Sequence, residues 1–83
     1  MYRLEITAQA RRDLKKIRQI HGRAVNQALE DIKEDPRIGK PLGRDLLNRV
    51  SHRIGVYRIV YIINEKDKIV EIISAGHRGS VYN

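Results

Sequence analysis

An α+β fold is predicted, with an N-terminal strand and a helical hairpin packed on an antiparallel sheet, in the order β-α-α-β-β-β. Three observations point there. Apolar residues alternate over the first six positions, recur at helical spacing from Ala10 to Ile32, and then crowd into Val-, Ile- and Tyr-rich runs after Val50. Period two reads as a half-buried strand and period 3.6 as an amphipathic helix. β-Branched and aromatic runs between polar breaks read as strands.

Tyr2 to Ile6 sets Leu4 and Ile6 on one face and Arg3 and Glu5 on the other. Thr7 is placed to cap a first helix whose stripe is Ala10, Leu14 and Ile17 and which runs to about Gln19. Arg11, Arg12, Lys15, Lys16 and Arg18 lie on its other face. His21-Gly22 reads as a turn, and Val25, Ala28, Leu29 and Ile32 form the stripe of a second helix ending by Asp35, since Pro36 disfavours helix in the residue before it. Pro36 to Asp45 reads as a loop. Val50 to Arg53, Val56 to Ile63 and Ile69 to Ala75 read as a three-stranded meander, separated by Gly55 and by the polar residues 64–68. Gly76 is expected to end the last strand, and the tail from His77 to Asn83 is too short for another packed element.

The 83 residues fit one domain, 1–83, because a chain of this size buries only roughly 60% of its unfolded surface and cannot support two cores. With no cysteine, disulfide frameworks, thiolate metal sites and cysteine nucleophiles are excluded. No apolar run approaches a membrane span, and the first residues lack the apolar stretch of a signal peptide, so a cytoplasmic protein is expected. Seventeen Lys plus Arg against ten Asp plus Glu give a net charge of +7. That favours a polyanionic partner, nucleic acid above all, through steering and counterion release. Solubility alone is the plainer account of the excess. The charge is uneven: residues 1–24 carry seven basic and two acidic side chains, 25–48 four and five, and 49–83 six and three. Gly-rich phosphate loops, metal-ligating clusters and a Ser-His-Asp arrangement are absent, so no cofactor or metal is expected.

The run Arg53-Ile54-Gly55-Val56-Tyr57-Arg58-Ile59-Val60-Tyr61, the segment Ser74-Ala75-Gly76-His77-Arg78 and the terminal Val81-Tyr82 resemble the RelE/ParE superfamily of bacterial and archaeal toxins, and the element order agrees over essentially the whole chain. Arg58 with the Arg78 and Tyr82 spacing is similar to the RelE branch, whose members cleave messenger RNA on the ribosome. The resemblance implies a type II toxin held inactive by a RelB-like antitoxin, with ribosome and mRNA as its other partners, and oligomers formed only through the antitoxin. Two alternatives stand beside it: a ParE-like inhibitor of DNA gyrase, and a catalytically degraded RNA-binding module.

Metal-independent RNA cleavage uses the ribose 2'-hydroxyl as nucleophile. It needs a base, an acid for the departing 5'-oxygen, and cations for the phosphorane. The resemblance puts Arg58 in place as transition-state stabiliser; a structural ion pair with a carboxylate such as Glu71 is the plainer reading. Arg78 is expected to contact phosphate bidentately, or to be a solvated charge. Tyr82 is expected to act as base if neighbouring cations lower its pKa, to stack on a substrate base, or to pin the tail to the sheet. Tyr2, Tyr57 and Tyr61 read as packing residues. The superfamily's two basic strand positions fall on Arg49 and Ser51, and Ser51 cannot supply a charge. His77, beside Arg78, is the candidate to replace the missing proton carrier, ahead of His52. Arg49, Ser51, Arg53, Arg11, Arg12 and Lys15 complete the expected RNA- and ribosome-binding set.

Overall fold

A computed structural model describes residues 1–42 and 48–77. The elements are β1 (Arg3–Ile6), α1 (Ala8–Glu34), a 3₁₀ turn (Pro36–Ile38), β2 (Lys40–Pro41), β3 (Arg49–Ile54), β4 (Tyr57–Asn64) and β5 (Ile69–His77). They build one five-stranded sheet in the order β1-β5-β4-β3-β2. β1 runs parallel to β5, and every other pair is antiparallel.

Thr7 caps α1 as expected, its Oγ1 accepting from the Ala10 amide at 3.1 Å. The expected turn at His21-Gly22 narrows to one residue: His21 leaves helical geometry at φ −127°, ψ 43°, and Gly22 needs no left-handed conformation. The break divides α1 into two arms, residues 8–20 and 22–34. Arg18 Nε donates to Asn26 Oδ1 at 3.3 Å across it, between residues that a straight helix would hold about 12 Å apart along its axis. Ala10, Leu14 and Ile17 from the first arm and Val25, Ala28, Leu29 and Ile32 from the second are buried, so both stripes face the sheet.

The sheet's inner face supplies Ile59, Tyr61, Val70, Ile72 and Ala75 to the same core. The region read as a loop holds instead the 3₁₀ turn and β2. Pro36 is buried, and its carbonyl accepts a 2.6 Å hydrogen bond from the Tyr61 hydroxyl. Burial pushes the Tyr61 hydroxyl up to about 12, with the Gly39 backbone opposing and Asp35 adding to the rise. A Cβ at Gly39 would overlap the Tyr61 hydroxyl, Val50 Cγ1 and the Ser51 carbonyl, so only glycine lets the chain lie this close. Gly55 turns β3 into β4 at φ 57°.

β5 runs through Gly76 to His77 rather than ending before it. It also carries a bulge. Val60 pairs with Ser74 and Tyr61 with Ile72, leaving Ile73 without a partner position on β4. The helix layer satisfies the displaced backbone: Thr7 Oγ1 donates to the Ile73 carbonyl at 3.2 Å, and Asp13 Oδ2 accepts from the Ala75 amide at 3.1 Å. The extra residue reverses the parity of the strand beyond it. Ala75 and His77 turn toward the helices, and Ser74 and Gly76 turn away.

Candidate active site

Alternation assigns the other, helix-free face of the sheet. β3 presents Arg49, Ser51 and Arg53 there, and β4 presents Arg58, Val60 and Ile62, in the pairs Arg49↔Ile62, Ser51↔Val60 and Arg53↔Arg58. Lys40 on β2 pairs with Ser51, and Gly76 on β5 pairs with Arg58. A rung of Lys40, Ser51, Val60 and Ser74 therefore lies beside a rung of Arg53, Arg58 and Gly76. Glycine opposite Arg58 places no Cβ at the paired position on β5.

A cleft of ≈ 240 Å³ opens over these rungs, lined by Ile38, Lys40, Ser51, His52, Arg53 and Arg58. Three of the six are cations and none is a carboxylate. Arg58 is half-buried, and its Nη1 donates to Ser51 Oγ at 3.0 Å. Ser51 is 3% exposed. The alternative reading of Arg58, an ion pair with Glu71, is not formed: Glu71 stands opposite Ile62, four residues along β4 and about 13 Å away. Arg53 directly across from Arg58 is a like-charge pair, unfavourable to folding and suited to a bound anion. Lys40, Arg49, Arg53 and Arg58 gather on β2 to β4, whereas on β5 and β1 Glu71 stands opposite Glu5, which is ion-paired with Arg3 at 3.3 Å.

Other expected site residues lie elsewhere. His77, the candidate to replace the missing proton carrier, is on the helix-covered side, because the bulge has reversed its parity. Its ring meets Tyr57 edge-on at 6.2 Å, and Tyr57 in turn meets His21 at 5.5 Å. His52 borders the cleft but pairs with the core residue Ile59, so strand alternation assigns its side chain to the covered side. Burial pushes its pKa below the usual value, with Asp31 opposing. No histidine of the chain is thus on the face that carries Arg58. Arg11, Arg12 and Lys15 are exposed on the helix layer, across the sheet from the cleft. Arg78 and Tyr82 fall outside the described residues. Tyr2 and Tyr61 are buried and Tyr57 is partly so, as packing residues. Lys40 was not legible as a site residue: a lysine between Gly39 and Pro41 in an apparent loop carries no signal until the ladder sets it beside Ser51.

The cleft can bind a phosphodiester through fixed cations and can stabilise negative charge that develops on it. Among known proteins, a family described as the ParE toxin of type II toxin-antitoxin systems matches residues 4–82. The toxin RelG of Mycobacterium tuberculosis is 39% identical over 83 residues, covering 98% of this chain and 95% of that protein. The toxin RelE of the same organism is also 39% identical, covering 98% and 86%. The toxin-antitoxin complex RelBE2 from M. tuberculosis contains a chain of similar structure, with TM-score 0.74, 36% identity, and 93% of this chain and 98% of that one covered. The archaeal RelE-RelB complex from Pyrococcus horikoshii gives TM-score 0.75 and 27% identity, with 96% and 98% covered. The chain belongs to the RelE/ParE superfamily of type II toxin-antitoxin toxins.

Proposed function

We propose that this toxin is a metal-independent endoribonuclease that cuts messenger RNA in the ribosomal A site, in the cytoplasm, and so stops translation. The observation that carries the reading is the Arg58 guanidinium, half-buried, held by Ser51 and facing a cleft whose described lining carries three cations and no carboxylate. In the reaction the 2'-oxygen attacks the adjacent phosphorus as its proton leaves, and the 5'-oxygen departs as it gains one. The products are a 2',3'-cyclic phosphate and a 5'-hydroxyl. Arg58 stabilises the extra negative charge of the phosphorane, and Arg53 and Arg49 hold the neighbouring phosphates. Arg78 and Tyr82 are proposed to act on the same phosphate, the phenol as proton carrier. Arg11, Arg12 and Lys15, on the far side of the sheet, are proposed to contact ribosomal RNA rather than the message.

The partner proposed is a RelB-like antitoxin. Relatives from M. tuberculosis and P. horikoshii occur in toxin-antitoxin complexes. A groove of ≈ 400 Å³ between β1 and the two helix arms, with Leu4 and Leu29 among three cations, Arg3, Arg18 and Lys33, and one carboxylate, Glu30, is proposed to take an amphipathic segment of net acidic charge.

Primer extension on messages after brief induction tests the reading. Cleavage that persists in EDTA with intact ribosomes, leaves the stated ends and vanishes on naked RNA is expected; efficient cutting of free RNA would sink it. The ParE description of the matching family favours gyrase inhibition as the second reading. Double-strand DNA breaks with intact message would select it.

A further inference from the structure

We infer that Lys40 is a phosphate-contacting residue of the cleft, delivered from the edge strand β2 to the side of Arg58 where the central strands provide only Ser51. The inference rests on the RNA-cleavage reading for its substrate. Its placement rests on the ladder alone.

Ser51 is the small, uncharged member of the row Arg49, Ser51, Arg53, and its hydroxyl accepts from Arg58. The cation of that rung stands one strand over. Lys40 pairs with Ser51, lies on the same side of the sheet, and lines the cleft with Arg53 and Arg58. The backbone that carries it is held on both sides. Before it, Pro36 is buried under the Tyr61 hydroxyl, and Gly39 lies against Val50, Ser51 and Tyr61 with no room for a Cβ. After it, the Leu42 amide donates to the Arg49 carbonyl at 2.9 Å and closes the ladder. A flexible lysine on a fixed stem suits a phosphate that moves between ground and transition state, since an ammonium binds as a point charge where a guanidinium demands a plane. Lysine on an edge strand also guards against edge-to-edge pairing, which is the competing explanation.

The test uses the intact toxin in two assays. The first measures affinity for a single-stranded 2'-O-methyl RNA, which cannot be cut because its nucleophile is blocked, across a salt series. The second measures cleavage of message on programmed ribosomes. Lys40→Gln should lower the slope of log affinity against log salt by about 0.7, the value for one phosphate contact on a single strand, and reduce cleavage. Lys40→Arg should restore the slope. Lys66→Gln, in the distant β4–β5 turn, should leave both unchanged. A wild-type slope in Lys40→Gln overturns the inference, and increased self-association in that variant would then assign Lys40 to guarding the edge. Failure of the nuclease reading looks different: the wild-type toxin would leave message on programmed ribosomes intact, and the slope would still decide Lys40.

Discussion

The two faces of the sheet are written on the same strands and serve opposite ends. On β3 and β4 the apolar residues facing the helices are Val50, Ile54, Tyr57, Ile59, Tyr61 and Ile63, all in or packed against the core. Their immediate neighbours, turned the other way, include Arg49, Ser51, Arg53 and Arg58. One face holds the domain together, and the other gathers like charges that oppose folding until an anion arrives. Strand alternation keeps the two tasks one residue apart and independent, so substitutions on the two faces should separate stability from activity.

The core substitution Leu14→Ala should be the most damaging to the fold. Leu14 is fully buried, and such truncations cost about 2–5 kcal/mol, read as a lower urea midpoint. Cleavage by the fraction still folded should match wild type; a loss of rate beyond the loss of folded protein would mean that the faces are coupled.

Arg58→Ala should do the reverse, lowering the cleavage rate by about 10²–10³ with little change in urea midpoint or ribosome affinity. A rate near wild type in a folded variant would remove Arg58 from the site.

Tyr61→Phe strikes the covered face at the anchor of β2. It leaves the Pro36 carbonyl unpaired, at a cost of about 1–3 kcal/mol. The hydroxyl's value of about 12 lies above its ordinary value near 10, so the folded state keeps the proton longer than the unfolded chain. Its stabilisation is therefore complete below pH 10 and is lost as pH rises toward 12. Wild type should lose stability over that window faster than Tyr61→Phe, and parallel curves would contradict the assignment.

Ser51→Ala should have a smaller effect on the open face. Without its oxygen Arg58 loses an aim worth about 0.5–1.5 kcal/mol, up to about tenfold in kcat with KM unchanged. A change confined to KM would instead make Ser51 a contact for RNA.

The smallest effect is expected at His52. Its pKa is lowered by burial, so the unfolded chain binds a proton that the folded state resists. Stability should be full above the ordinary value near 6.5 and decline as pH falls below it. His52→Gln should flatten that decline, and an unaltered acid limb would count against burial as its cause.

Much of this was legible in the sequence because it is local. Period and capping rules found β1, both stripes of α1 and the three long strands. The His21 break, the core list and the packing roles of the tyrosines follow from the same short-range rules. Two features depend on partners far along the chain. The bulge at Ile73 exists only because β4 and β5 shift register, with Thr7 and Asp13 taking the displaced backbone groups. It turns His77 away from Arg58 and Gly76 toward it. The neighbour of Ser51 is likewise fixed by the ladder that brings Lys40 across from β2. Spacing along a chain determines which face a residue prefers. Which residues meet on that face is decided by strand register, and one inserted residue reverses everything after it.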